Sequence, residues 1–186
     1  LDLEGIANHK GSLFGGRLVS PQPSQKRFES LVFDQLRGFD ATRPVWVEAE
    51  SPKIGFLNIP RSLWKPLKES KVTEVITSTA ARADHLFTDY QDWIAEPNRI
   101  LATIDRLRSY HSKNTIESWK ALCRQMAWKP LITELLEQHY DTRYGANGSG
   151  HYPIPTHRVE LADQSAHCIM ACARALLPFD HTKRPE

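Results

Sequence analysis

The segment from Leu1 to Glu29 holds a high density of side chains that can donate hydrogen bonds or bind an anion. Its candidate ligand-binding residues are His9, Lys10, Ser12, Arg17, Gln22 and Gln25. Glycines at positions 11 and 15 permit close backbone approach, and successive backbone N–H groups there would form an anion-binding nest. A Gly-rich surface loop without a ligand is the alternative. The number of polar side chains, which have no apolar role in this connection, favours an anion-binding site.

The elements expected to position this loop are a strand before it and a helix after it. Leu1 and Leu3 alternate with Asp2 and Glu4, which is the period of a strand over Leu1–Glu4. Prolines then end the loop, and an apolar stripe predicts a helix from residue 24 to residue 37. Open α/β sheets bind ligands at the carboxyl ends of their strands, so Asp2 is a candidate ligand-binding residue.

A second carboxylate follows the apolar run Val45–Val47, which is typical of a strand buried on both faces. Glu48 ends that run. A carboxylate at the end of a buried strand resembles the Walker-B arrangement, in which it holds Mg²⁺ directly or through water. Solvated glutamates at a strand end are the alternative, and the residues alone favour that alternative. Only the resemblance to a known family, given below, makes Glu48 a candidate phosphate-site residue and a candidate Mg²⁺ ligand.

The remaining elements follow in order along the chain. Residues 53–60 predict a hairpin or a short strand, residues 60–67 a short helix and residues 72–77 a strand. Arg82 lies early in the next helix, where it either reaches a phosphate or pairs with Asp84 or Asp89. Residues 97–139 predict a long helical region, residues 145–150 a flexible loop, and the end of the chain a short strand and an amphipathic helix.

Basic residues decorate the helical region, and four of them are candidate RNA-binding residues: Arg99, Arg106, Arg124 and Lys129. Aromatic side chains at positions 110 and 128 could stack nucleobases beside them. The alternative is an ordinary solvated helix face. The first prediction for the whole site is that Asp2 and Glu48 converge on one polar cleft with Arg82 nearby.

Composition limits the classes of protein to which this sequence can belong. The 186 residues are 40% hydrophobic, and 24 Lys and Arg stand against 22 Asp and Glu. This near balance means that any nucleic-acid contact must rest on local patches. Three cysteines do not form a disulfide framework, which indicates a reducing, cytoplasmic location. No apolar run is long enough to span a membrane, so no membrane association is expected.

Several long phrases of this sequence resemble the tRNA 2-selenouridine synthase family. They are LDLEGIANHKGSLFG, QPSQKRFE, VWVEAES, IGFLNIP and HYDTRY. In that family the first phrases lie just downstream of a P-loop, which follows a rhodanese-like domain. This sequence contains neither a G-x-x-x-x-G-K-[ST] motif nor a rhodanese cysteine loop. The resemblance therefore implies that residues 1–186 are the C-terminal portion of a P-loop-like domain, inactive and poorly stable alone.

The resemblance also implies a fold and an activity. The fold would be α/β: an incomplete P-loop nucleotide-hydrolase-like parallel sheet with a helical insertion at about 97–144. The activity would be conversion of wobble 2-thiouridine in tRNA to 2-selenouridine through a geranylated intermediate. Selenophosphate and geranyl diphosphate would be substrates, Mg²⁺ a possible cofactor, and tRNA the partner. The nucleophilic cysteine would lie in the upstream rhodanese domain, so no catalytic residue is assigned here.

Two other classes of function remain open from the sequence. One is a fragment of a P-loop small-molecule kinase, and the other is a non-catalytic tRNA-binding module. Titrations with tRNA at several salt concentrations and with diphosphate would separate these from the synthase.

Overall fold

A computed structural model describes residues 1–17, 20–49, 51–144 and 152–176. The predicted flexible loop at 145–150 and Glu50, the second glutamate after the Val45–Val47 run, lie outside these residues. The helices are α1 Leu3–Ala7, α2 Gln25–Arg37, α3 Arg61–Glu69, α4 Thr79–Asp89, α5 Gln91–Ile94, α6 Pro97–Asp105, α7 Lys113–Arg124, α8 Trp128–Leu135, α9 Asp141–Tyr144 and α10 Ala166–Leu176. A 3₁₀ turn spans Arg106–Ser109, and a π-helical turn spans Leu136–Tyr140.

The strands form two small sheets. β1 Lys53–Ile54 and β2 Leu57–Asn58 make an antiparallel hairpin, which confirms the predicted hairpin. β3 Thr73–Ile76 and β4 His157–Glu160 pair in parallel, with Val75 opposite Val159. The chain is thus α/β with a small parallel sheet and many helices. A larger sheet of the P-loop type stays a prediction.

Two of the predicted strands are wrong. Residues 3–7 form helix α1, because Asp2 caps it by accepting a hydrogen bond from the backbone N–H of Gly5 at 2.6 Å. Residues 45–47 belong to no strand, and Val45 and Trp46 are 41% and 46% exposed. An apolar run becomes a buried strand only where partner strands are present, and the described residues supply none there.

The predictions of helices agree with the structure better than the predictions of strands do. α2 begins after Ser24, whose side chain accepts a hydrogen bond from the N–H of Arg27. α4 is capped in the same way by Ser78. The region from residue 97 to residue 139 is helical as expected, with Pro97 in the first turn of α6.

Two apolar clusters form the core. The first joins the opening helix, α2 and the hairpin, and contains Leu3, Ala7, Phe28, Val32, Ile54, Leu57, Ile59 and Leu67. The second lies among the helices that follow β3, and contains Phe14, Trp93, Ile100, Ile104, Leu107, Ile116, Trp119, Cys123, Leu131 and Leu135. Phe14 belongs to the second cluster although it lies in the opening loop, so this loop reaches from one cluster to the other.

A large apolar cavity as the candidate functional site

A cavity of about 960 Å³ lies beside the parallel sheet, between α4 and α8. Its walls come from the opening loop, β3, α4, α5, α6, α8, the π-helical turn and the segment before β4. The apolar and aromatic members of the lining are Phe14, Val72, Val75, Ile76, Leu86, Tyr90, Trp93, Ile94, Ile100, Trp128, Leu131, Ile132, Leu135, Leu136, Tyr140, Tyr152 and Ile154. A cavity of this size with this lining is typical of a site for an organic ligand with a substantial apolar part.

Burial distinguishes the deep end of the cavity from its mouth. Trp93, Leu131 and Leu135 are buried, whereas Val75 is 49% and Ile154 83% exposed. Phe14 packs edge-on against the Trp93 ring, with centroids 5.4 Å apart, and so closes the deep end with aromatic surface. A ligand would therefore place its apolar portion inside and its polar portion at the rim.

Within the described ranges, the lining contains three partly exposed charged side chains, those of Glu74, Arg82 and Asp141, and Glu74 pairs with Arg158 at 2.8 Å. The guanidinium of Arg82 donates two hydrogen bonds to the Asp141 carboxylate, at 2.9 and 2.7 Å. Both side chains are about one-third exposed, at 32% and 39%. The pairing expected for Arg82 in the absence of a ligand was with Asp84 or Asp89. The actual partner lies far along the chain, at the start of α9.

One polar group of the opening loop, Ser12, meets Tyr90, which follows α4, in the cavity lining. Ser12 hydrogen-bonds the side chain of Tyr90, and both residues line the cavity. Burial raises the pKa of the Tyr90 phenol, while the hydrogen bond from Ser12 opposes this. Tyr90 therefore remains a neutral hydrogen-bonding group at neutral pH.

The opening loop is held mostly by its own contacts and by α4. The Lys10 ammonium lies 2.8 Å from an Asp89 carboxylate oxygen and 4.2 Å from the Tyr90 ring centroid. The backbone N–H of Lys10 donates to the Gly15 carbonyl, and that of Gly15 donates to the Ser12 carbonyl. An anion at this loop would have to compete with these partners. Arg17 is exposed, and its role in anion binding stays a prediction.

Gln22 and Gln25 tie the opening segment to the hairpin, and His9 lies close to Gly55 beside them. Gln22 donates to the carbonyls of Ala7 and Ile54 and accepts from the N–H of Phe56. Gln25 accepts a hydrogen bond from the N–H of Asn58 and donates one to its carbonyl. Nδ1 of His9 is buried without a hydrogen-bond partner among the described residues. Burial lowers the pKa of the His9 ring.

The carboxylates of Asp2 and Glu48 converge, but on the start of α1. Glu48 accepts hydrogen bonds from the N–H groups of Leu3 and Glu4, at 3.0 and 3.2 Å. Both oxygens of Glu48 are thus engaged, as is one oxygen of Asp2. These carboxylate oxygens fit a helix cap better than a Mg²⁺ site. No group of three potential metal ligands occurs in the described ranges. Arg82 makes its ion pair elsewhere, with Asp141.

The four candidate tRNA-binding residues differ in their surroundings. The Arg99 guanidinium stacks on Trp93 at 4.0 Å from the ring centroid and approaches the Gly16 carbonyl. Lys129 pairs with Asp84 at 2.6 Å. Arg106 and Arg124 are exposed. The last two are therefore the better placed for phosphates.

Sequence reasoning missed the cavity and a histidine pair of which one member, His139, is buried. Nε2 of His111 lies 2.9 Å from Nδ1 of His139, and His139 is 4% exposed. Burial lowers the pKa of His139 to about 4, with the neighbouring His111 and Arg143 adding to the effect. The concentration of Trp and Tyr between residues 90 and 140 was the available signal for an aromatic site.

No cysteine in the described part of the chain lines this cavity. Cys123 is buried, and its thiol points to the Pro97 carbonyl at 3.6 Å. Burial raises the pKa of that thiol, which makes it a poor nucleophile. Among the described residues, no helix is both long and apolar enough to cross a bilayer.

These features define an α/β domain that encloses a large apolar cavity with an ion pair at its edge. Comparison with known proteins gives the family. The model of the tRNA 2-selenouridine synthase AAA domain matches residues 1–120. The chain belongs to the tRNA 2-selenouridine synthase family, which confirms the resemblance seen in the sequence.

Curated relatives bear the same name. The protein from Nitrosomonas europaea is 36% identical over 130 residues, which are 67% of this chain and 32% of the relative. The one from Marinobacter nauticus is 34% identical over 157 residues, or 75% of this chain and 42% of the relative. Both are named tRNA 2-selenouridine synthase, and this chain spans well under half of their length. No solved structure matches the chain.

Proposed function

We propose that this chain supplies the geranyl-binding part of a tRNA 2-selenouridine synthase. The complete enzyme would convert wobble 2-thiouridine in tRNA to 2-selenouridine through a geranylated intermediate, with geranyl diphosphate and selenophosphate as substrates. The observation that carries this proposal is the apolar cavity beside β3, α4 and α8. A geranyl group is a ten-carbon hydrocarbon, and this lining is chemically suited to it.

The energetics of burial favour such an occupant. Each buried methylene contributes about 0.8 kcal/mol, so a ten-carbon chain offers roughly 8 kcal/mol before the costs of binding. A nucleotide would gain much less here, because its ribose and base carry polar groups that lose their hydrogen bonds to water in an apolar lining. The cavity thus disfavours the small-molecule kinase, and a simple tRNA-binding module would have no use for it.

The diphosphate would lie at the partly exposed side, beside Arg82. A guanidinium presents a planar fork of donors that suits phosphate oxygens as well as a carboxylate. Arg82 would exchange one or both of its bonds to Asp141 for bonds to the diphosphate. In this arrangement the sulfur of 2-thiouridine attacks the first geranyl carbon, the carbon–oxygen bond breaks, and Arg82 stabilises the leaving diphosphate.

The test compares geranyl diphosphate with inorganic diphosphate by calorimetric titration of the full-length protein. We expect geranyl diphosphate to bind at least tenfold more tightly, since only it has a chain for the cavity. Val75→Asp places a charge in the partly exposed lining and should remove this advantage without weakening inorganic diphosphate. Phe56→Asp is the matched control, because Phe56 is 87% exposed and does not line the cavity. Equal affinities for the two ligands in the unaltered protein would refute the proposal.

A further inference from the structure

An exposed aromatic and cationic platform lies at the surface where the 3₁₀ turn meets α9. Tyr110 is 53% exposed, and the Arg143 guanidinium carbon lies 4.1 Å from the centroid of its ring. Arg143 is itself exposed. One face of the guanidinium plane is therefore backed by an aromatic ring, while the side chain remains accessible to a partner.

Contacts with buried residues hold Tyr110 in place. The N–H of Tyr110 donates to the carbonyl of Leu107, which is buried. The Tyr110 ring packs against the His139 ring in a tilted orientation, with centroids 6.2 Å apart. His139 is fixed in turn by its hydrogen bond with His111, whose ring packs edge-on against the buried Trp119. A rigid stack loses little conformational freedom when a planar partner is added to it.

Basic residues flank Tyr110 along the chain. Arg106 and Arg108 belong to the turn that leads into Tyr110, and Lys113 begins the next helix; all three are exposed. Arg108 is partly neutralised by Asp105 at 2.6 Å. Cations around a flat π surface match the two features of an unpaired nucleotide, which are its phosphate and its base. An acidic peptide would match only the charge.

We propose that Arg143, backed by Tyr110, stacks an unpaired nucleobase of RNA, while the neighbouring cations hold the adjacent phosphates. This inference rests on the proposed function, since it assigns a contact to the tRNA that the enzyme would bind. It places that contact outside the cavity and on residues other than the four basic candidates, apart from Arg106.

The test measures binding of an anticodon stem–loop RNA and of a blunt RNA duplex of equal length to the full-length protein. Tyr110→Ala and Arg143→Ala should each weaken stem–loop binding about 30-fold, the middle of the range for losing one stacked base. Tyr110→Phe keeps the ring and should bind within about twofold of the unaltered protein. Binding of the duplex should be little changed by Tyr110→Ala, since its bases are not available for stacking.

Arg143→Lys separates stacking from simple charge. Lysine keeps the positive charge but lacks the plane, so we expect it to bind as weakly as the alanine variant. Arg37→Ala is the matched control, because Arg37 lies over the exposed Phe33 ring at 5.8 Å on a different helix. Full affinity in Arg143→Lys, or unchanged stem–loop binding in Tyr110→Ala, would overturn the inference. If the unaltered protein binds neither RNA while binding geranyl diphosphate, the platform is refuted and the cavity proposal stands.

Discussion

At the scale of single residues, the tightest constraint lies where the opening segment meets the hairpin. Gly55 has φ of +59°, a conformation that residues with a side chain rarely adopt. A Cβ there would also collide with the Gln22 side chain and lie 2.8 Å from Cδ2 of His9. Gln22 can therefore bridge Ala7 and the hairpin only because position 55 carries no side chain.

Gly55→Ala should lower the free energy of unfolding by about 1–3 kcal/mol, through backbone strain and loss of the Gln22 contacts. Urea unfolding followed by circular dichroism measures this. The control is Gly38→Ala, because Gly38 has φ of −82° and a Cβ there would be no closer than 3.4 Å to its nearest neighbour. Equal stability of the two variants would show that the bridge is dispensable.

The histidine pair gives a pH dependence. The folded pKa of His139, about 4, lies below its ordinary 6.5, so the unfolded state binds more protons between these values. Stability should therefore be complete above about pH 6.5 and fall as the pH drops toward 4, by no more than about 3 kcal/mol from this residue. His139→Gln, which keeps a hydrogen-bonding partner for His111, should flatten the profile. An unchanged slope in that variant would place the titration elsewhere.

At the scale of elements, the sequence predicted what local periodicity determines. The apolar stripes of α2, α6 and α7 and the β-branched run of β3 correspond to elements in the structure. The prediction of a strand at Leu1–Glu4 is wrong because helix α1 begins there. The carboxylate of Glu48, which is distant in sequence, completes the cap of this helix. The cavity could not be predicted at all, because its lining comes from segments whose meeting depends on tertiary packing.

The positions of Arg106 and Arg124 within their elements make the tRNA prediction more specific. Arg106 and Arg124 are exposed at the ends of the 3₁₀ turn and of α7, where phosphates can approach. Arg106→Ala combined with Arg124→Ala should lower tRNA affinity and reduce the slope of log K against log salt by about 1.4–1.8, if each contacts one phosphate. Affinities at three salt concentrations measure the slope. Arg37→Ala serves again as the control, and an unaltered slope in the double variant would leave both arginines as solvated side chains.

At the scale of the whole molecule, the opening loop joins the two apolar clusters. It begins at α1 in the first cluster, and its Phe14 belongs to the second. The Gly16 carbonyl accepts a hydrogen bond from the Trp93 indole at 3.0 Å. The Lys10 ammonium bonds both the carboxylate and the carbonyl of Asp89. These contacts would make the two clusters unfold together.

We therefore expect that weakening this junction separates the two clusters in hydrogen exchange. In the unaltered protein, amides of Phe28 and Val32 in α2 and of Ile116 and Trp119 in α7 should exchange with similar free energies of opening. Trp93→Phe with Lys10→Ala removes the indole donor and the ammonium while preserving an aromatic ring in the cavity wall. Because each hydrogen bond contributes about 0.5–1.5 kcal/mol, rising to about 3 for a charged one, the two sets should then differ by about 1–3 kcal/mol. Arg37→Ala, which leaves the junction intact, should keep them equal. If the double variant lowers protection equally in α2 and α7, the clusters are coupled through other contacts and the loop is not their junction.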